Sequence, residues 1–78
     1  MTAVVLERID GARNMRRFYR LDVQPTLFGE WSLVREWGRS GPGGTVRSAV
    51  LDPEQAAEAA RVRRQQVKER RGYQVRSV

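Results

Sequence analysis

The sequence predicts an α+β domain, an antiparallel sheet of four to five strands with one α-helix packed on it. Four short segments in the first part of the 78-residue chain are rich in β-forming residues or alternate between apolar and polar residues. A later alanine-rich segment, residues 53–71, carries signals for the start and the end of a helix. Short connections between neighbouring strand segments favour antiparallel pairing.

The first two predicted strands cover residues 3–9 and 17–24. The first ends at the turn signal Asp10-Gly11. In the second, apolar and polar residues alternate with the period of a strand that buries one face. The residues predicted to face inward there are Tyr19, Leu21 and Val23.

The third and fourth predicted strands cover residues 30–37 and 45–51, and the glycine-rich residues 38–44 between them are predicted to form a loop. One side of the third strand carries Trp31, Leu33, Arg35 and Trp37. Trp31 is predicted to lie in the core, because it begins the half-buried face. The other aromatic residues predicted to pack in the core or at hairpins are Phe18, Tyr19 and Phe28.

The helix has predicted caps at both ends. Asp52 is predicted as the N-cap, with Pro53 as the first helical residue and Gln55 completing a capping box. Gly72 supplies the left-handed residue that ends the helix. A thin apolar stripe is predicted to pack on the sheet, formed by Ala56, Ala59, Ala60, Val67 and either Val62 or the stem of Arg63. The residues before Val4 and after Tyr73 are predicted to fray.

Composition narrows the possible functions. The chain is short enough for one domain, residues 1–78, and has a small core. It contains neither cysteine nor histidine, so thiolate chemistry, the usual metal ligands and histidine-based catalysis are excluded. We therefore expect no enzyme activity, cofactor, metal or small-molecule substrate. The absence of a long apolar segment predicts no membrane association and a cytoplasmic location.

Positive charge is the main functional signal. Fifteen Lys and Arg residues stand against nine Asp and Glu, which gives a net charge of +6. Arginine, which makes up all of the basic residues except Lys68, suits bidentate phosphate contacts. A GC-rich genome would also explain the preference for arginine over lysine, but not the excess of base over acid. This excess predicts a polyanionic partner, with nucleic acid ahead of a membrane surface.

Three blocks of sequence, in order around one helix, resemble a known module. They are RFYRLDV (residues 17–23), WSLVREWGRSG (residues 31–41) and KERRGY (residues 68–73). Together they resemble the WGR domain, named for its Trp-Gly-Arg signature and found in poly(ADP-ribose) polymerases and in stand-alone bacterial proteins. The resemblance covers residues 14–75 and implies an antiparallel sheet with one packed helix. The chain differs from the usual family pattern at Ser40, where an aliphatic residue is common.

The resemblance implies roles for particular residues. In the polymerases the module helps to recognise broken DNA, with the signature tryptophan against the terminal sugar. This implies that Trp37 is a stacking platform, that Arg39 contacts a phosphate or a partner protein, and that Tyr73 lies next to a phosphate. Arg17 matches a basic position of the family.

Other residues are candidates on chemistry alone. Arg64, Lys68, Arg70 and Arg71 belong to a strongly basic helix end and are predicted phosphate contacts. Gly38 would let the backbone approach a ligand, although turn geometry is the commoner reason for glycines in such a stretch.

Two alternatives stay open at this point. By its position on the strand Trp37 belongs with the core, whereas the resemblance indicates a partly exposed ring. Tyr73 would serve equally well to close the helix end by an apolar contact. The function predicted is a nucleic-acid-binding module for DNA ends, nicks or single-stranded segments, with DNA favoured over RNA. The alternative is a protein-interaction module that docks an acidic partner.

Overall fold

A computed structural model describes residues 2–39 and 43–77 of the chain, the last of these as backbone only. The strands are β1 (Thr2–Asp10), β2 (Met15–Pro25), β3 (Trp31–Arg39), β4 (Thr45–Val50) and β5 (Gln74–Ser77), and the helix is α1 (Glu54–Arg70). The strands form an antiparallel sheet in the order β4-β3-β2-β1-β5, and α1 packs on one face of it. The predicted α+β fold is confirmed. No helix within these ranges is long and apolar enough to cross a bilayer.

The core lies between α1 and the central strands. Its buried residues are Val4 and Leu6 of β1, Tyr19, Leu21 and Val23 of β2, Leu33 of β3 and Ala57 of α1. The predicted inward face of β2 is therefore confirmed. Trp31 packs against this core and is half-buried.

The N-terminal cap of the helix was predicted wrongly. The helix begins at Glu54, Pro53 is its N-cap, and no side chain caps it. The carboxylate of Asp52 instead accepts a hydrogen bond from the backbone N–H of Trp31, with Oδ1 and N 3.3 Å apart. That contact ties the start of α1 to the start of β3, and a carboxylate engaged there does not cap the helix.

The C-terminal end of the helix follows the prediction. Gly72 has a positive φ of +95°. Its N–H donates to the carbonyl of Glu69, and the N–H of Tyr73 donates to the carbonyl of Lys68, each at 3.1 Å. These two bonds form a Schellman motif, which turns the chain sharply back toward the sheet.

The face that α1 turns to the sheet matches the predicted stripe only in part, since Ala60 of that stripe packs against the core. Ala57, which was not in that stripe, is 0% exposed, whereas Ala59, Val62 and Val67 are exposed. A face that contains Ala57 continues at helical spacing through Arg61, Arg64 and Lys68. The sheet-facing side of the helix thus changes from apolar to cationic along its length.

The turn between β2 and β3 carries two apolar side chains into solvent. Leu27 is 100% exposed and Phe28 is 88% exposed, so the predicted packing of Phe28 is wrong. The turn is closed by its own backbone, where the N–H of Thr26 donates to the carbonyl of Glu30 at 2.7 Å. Its side chains therefore extend past the sheet, beyond the reach of the core.

Several boundaries differ from those predicted, and three of these differences affect the site or the ends of the chain. Gly38 and Arg39 belong to β3 rather than to a loop, because they pair with Phe18 and Arg17 of β2. The C-terminal tail does not fray but forms β5, where Val75 pairs with Leu6 of β1. β1 likewise begins at Thr2, ahead of the residue where order was expected. The predictions for Ser40 and for the next two loop residues, Gly41 and Pro42, fall outside the described residues.

Candidate nucleic-acid interface

Three aromatic rings from different elements meet at one end of the sheet. Tyr19 and Trp37 face each other across β2 and β3, and their rings stack with centroids 5.7 Å apart and planes 13° apart. Tyr73, which follows α1, meets Tyr19 edge-on at 6.3 Å. Tyr19 is buried, while Trp37 and Tyr73 are half-buried. Trp37 therefore packs on the core and keeps part of its ring exposed, as the partly exposed alternative predicted.

Lys68 of α1 lies over these rings. Its Nζ is 4.4 Å from the centroid of Tyr19 and 5.5 Å from that of Tyr73, which is the geometry of a cation–π contact. Burial lowers the pKa of the Lys68 ammonium, and the positive charges of Arg71, Arg64 and Arg35 lower it further. A bound anion would relieve this repulsion.

The rings and the surrounding cations enclose a hollow of ≈ 300 Å³, here termed the aromatic pocket. It is lined by Arg17, Tyr19, Trp37, Gly38, Arg39, Lys68 and Tyr73. Arg17 and Arg39 pair directly across β2 and β3, and like charges in that position destabilise a sheet unless something offsets them. The structure thus brings six of the nine predicted site residues into one place.

A second hollow of ≈ 420 Å³, here termed the cationic cleft, lies between α1 and strands β3 and β4. Its floor is aliphatic, and its charged residues are Arg35, Arg63, Arg64, Lys68 and Arg71. Lys68 lines both hollows. The predicted site residues Arg64 and Arg71 lie here, whereas Arg70 lines neither of these hollows and borders a third one of ≈ 290 Å³.

Most of the cations that form no ion pair within the described residues lie at this surface. Carboxylates neutralise arginines near β1 and β2, for example Arg16 with Glu7 at 3.2 Å and Arg20 with Asp22 at 3.3 Å. On the helix, Arg61 pairs with Glu58 at 3.3 Å. Within residues 2–39 and 43–77, no cation of either hollow forms an ion pair. The excess positive charge of the chain is therefore concentrated at this surface.

The glycines of the signature region serve close packing. A Cβ on Gly44 would lie 2.9 Å from Cζ of Phe18 and 3.0 Å from the carbonyl oxygen of Trp37. A Cβ on Gly38 would lie 3.3 Å from Cα of Gly44. Phe18 lies on the sheet face opposite α1. Because these glycines have no side chain, the Phe18 ring can pack against that face of β3, the strand that carries Trp37. Gly43, with φ of +88°, meets the turn requirement that the sequence predicted.

Sequence reasoning missed three residues of this surface. Tyr19 was predicted as core alone, yet its ring also forms the floor beneath Lys68. Arg35 places its guanidinium 5.5 Å from the ring centroid of Trp37, and Arg63 lines the cationic cleft. The alternation of β3, which puts Arg35 on the same side as Trp37, was a signal that could have found it.

The fold and these two hollows define a small basic α+β domain with a cation-ringed aromatic surface. The family model described as WGR domain matches residues 2–78, so the chain belongs to the WGR domain family, a family of nucleic-acid-binding modules. The chain is also similar to an uncharacterized protein, y4dW, of Sinorhizobium fredii, with 37% identity over 71 residues. That match covers 91% of this chain and 35% of the relative, so the chain spans about a third of the relative's length. No solved structure matches the chain.

Proposed function

We propose that this domain binds DNA at ends, nicks or single-stranded segments, with the terminal nucleotide against Trp37 and its phosphate among the surrounding cations. The observation that carries the proposal is the half-exposed Trp37 ring, held on Tyr19 and ringed by cations that have no carboxylate partner among the described residues. Family membership supports nucleic acid as the ligand.

The chemistry of the aromatic pocket fits a nucleotide. Stacking on an aromatic ring contributes about 1–3 kcal/mol per base and tolerates any sequence. Trp37 is pre-oriented, because its stack on Tyr19 fixes the ring before a ligand arrives. Arg17 and Arg39 lie at the mouth of the pocket and carry planar guanidinium groups, which bind phosphate oxygens in pairs.

A preference for interrupted DNA follows from the shape of the pocket. In an intact duplex the base faces are covered by their neighbours and the sugars run on without a terminus. A strand end or nick exposes a terminal base, sugar and phosphate together. A half-buried ring beside phosphate ligands can contact all three there, whereas intact duplex offers it the phosphates alone.

A titration with matched tryptophan variants tests the proposal. The probes are a duplex with a 5′-phosphorylated nick and the same duplex without the nick, at near-physiological salt. Wild-type protein should bind the nicked duplex more tightly, and Trp37→Leu should lose that preference while keeping a weak, salt-sensitive affinity. Trp31→Leu is the control, because Trp31 is also half-buried, on the same strand and the same face.

Thermal melts of both variants separate binding from folding. Because Trp37 is half-buried, its replacement should destabilise the domain by less than the ~3–5 kcal/mol of a fully buried tryptophan. A folded Trp37→Leu protein that still prefers the nick would show that Trp37 is not the platform. Equal affinity of wild-type protein for both duplexes would overturn the proposed recognition of strand interruptions.

A further inference from the structure

The cationic cleft is separate from the aromatic pocket. A strand end bound at Trp37 would fill the pocket and leave the cleft empty. Five cations line the cleft, and its lining among the described residues includes no carboxylate. Its aliphatic floor includes Leu33, Leu51 and Val67. An apolar floor under a rim of unpaired charge suits a ligand that is both anionic and partly apolar, such as the phosphates and sugars of a nucleic-acid strand.

The cations of the cleft are arranged in a row. Arg64, Lys68 and Arg71 are four and three residues apart, so they share one side of α1 and its C-terminal cap. With a rise of about 1.5 Å per residue, they are separated by roughly 6 Å and 4.5 Å along the helix axis. A row of this kind fits a linear polyanion better than a compact one, and arginine provides the fork that binds phosphate.

The row leads directly out of the aromatic pocket. Lys68 lines both hollows, and Arg35, at the boundary, lies 5.5 Å from the ring centroid of Trp37. A strand that leaves the pocket therefore enters the cleft without passing a carboxylate of either lining. The cleft, ≈ 420 Å³ between a helix and a sheet, suits a single strand better than the wider duplex.

We propose that the cationic cleft holds a single-stranded extension of the DNA end, with Arg64, Lys68 and Arg71 on successive phosphates. The inference rests on the proposed function for its starting point at Trp37. An acidic peptide is the competing occupant, and such a peptide would pair along the outer edge of β4. Four of the five cations lie on α1 or its cap rather than on β4, which favours a ligand that follows the helix.

The test compares DNA ends with and without an extension. The probes are a blunt duplex, the same duplex with six unpaired thymidines on either strand, and free dT12, and the competitor is poly-glutamate. For wild-type protein we expect an extension of one polarity to tighten binding by about tenfold, because each strand phosphate and sugar gains contacts. The gain should level off within a few nucleotides, since residues 60–71 span only about 16 Å of helix.

Two double variants with the same net charge isolate the cleft. Arg64→Gln with Arg71→Gln removes two of its cations, and Arg20→Gln with Arg76→Gln removes two from the opposite sheet face, so each lowers the net charge from +6 to +4. The cleft variant should lose the gain from the extension and reduce the log–log salt slope for dT12 by about 1.4. Its affinity for the blunt duplex should change by less than about threefold, and the control variant should keep the gain.

The outcomes separate this inference from the proposed function. If neither extension strengthens binding, or if the gain survives in the cleft variant, the cleft does not hold the strand. Displacement of dT12 by poly-glutamate as effectively as by unlabelled dT12 would assign the cleft to acidic peptides instead. If dT12 binding depends on Arg64 and Arg71 but nicks are not preferred, the proposed recognition of strand interruptions at Trp37 fails and the cleft assignment stands.

Discussion

The two halves of α1 differ in whether the basic side chains on their sheet-facing side are paired with carboxylates. In the first half, Ala57 is buried on the sheet, and the side chain of Arg61 is 13% exposed and bound to Glu58 at 3.3 Å and to Gln65 at 2.7 Å. In the second half, Arg64 and Lys68 continue the same side of the helix without a carboxylate partner in the described residues. The first half stabilises the domain, and the second presents unneutralised charge beside the aromatic pocket.

This difference indicates that the basic residues of the second half serve to bind an anion and not only to keep the domain soluble. Solubilising charge would be spread over the outer face of the helix and interspersed with acids. Instead, several cations line the cleft beside the sheet, and the pKa of Lys68 is lowered, first by burial and then by the charges of Arg71, Arg64 and Arg35. Such crowding weakens the free domain and is relieved when an anion binds.

The largest expected effect on stability comes from enlarging a buried side chain in the first half of α1. Ala57→Leu should destabilise the domain by about 1–3 kcal/mol, because a fully buried position beneath the helix has no room for three more carbons. The matched change in the other half, Gln66→Leu, should shift stability by less than about 0.5 kcal/mol. Thermal melts measure both, at about 4–8 °C per kcal/mol for a domain of this size. Because Gln66 is exposed, equal melting temperatures would show that position 57 is not closely packed either.

A smaller effect should follow from removing one carboxylate from each half. Glu58→Gln leaves the largely buried Arg61 without its ionic partner and should destabilise the domain by about 1–2 kcal/mol. Glu69→Gln removes the same charge from an exposed position and should have an effect below about 0.5 kcal/mol. Urea denaturation of the two variants gives the comparison. A larger loss for Glu69→Gln would reverse the assignment of the two halves.

The smallest effect on stability is expected for replacement of Lys68, and this change should stabilise the domain. Lys68→Met keeps the stem and removes the crowded charge. Because solvent screens this partly exposed ammonium, the change should raise the free energy of unfolding near neutral pH by at most about 0.5 kcal/mol, or 2–4 °C. Because the folded-state pKa is lowered, the unfolded chain holds this proton more firmly, and wild-type stability should rise with pH through that pKa. The advantage of the variant should therefore vanish in the alkaline range and shrink with added salt.

The control for Lys68→Met is Arg70→Met, outside both hollows. Lys68→Met should also weaken binding to nicked DNA, whereas Arg70→Met should leave it within about twofold. A Lys68→Met protein less stable than the Arg70→Met protein would show that the ammonium stabilises the fold through Tyr19 more than its neighbours repel it.

Local sequence was sufficient for the elements with a strong internal pattern. The alternation around Leu21 placed β2 with the correct side inward, and Gly72 located the helix end. β5 was missed, because a four-residue tail with one apolar side chain becomes a strand only through pairing with β1. The capping box failed for a similar reason, since Asp52 binds the distant backbone of Trp31. Both errors come from contacts between segments far apart in the chain.

Part of the candidate site could be predicted from the sequence. The resemblance and the local charge supplied Trp37, Arg39 and Lys68, which the structure gathers into the aromatic pocket. The rotation of α1 could be predicted only in part, because Ala60 of the predicted stripe packs against the core but Ala56 and Ala59 were as apolar as the buried Ala57. That rotation decides which cations face the sheet, so the cationic cleft could be found only in the folded structure.

The most direct test of the account follows the two tryptophan indole N–H signals by NMR during titration with nicked duplex. Trp31 and Trp37 are on one face of β3, six residues or about 20 Å apart, so each reports on one end of the sheet. We predict that the Trp37 signal shifts and saturates with the nicked duplex while the Trp31 signal stays in place. A shift of the Trp31 signal with the Trp37 signal unchanged would put the contact at the β2–β3 turn and contradict the proposed contact of the strand end with Trp37.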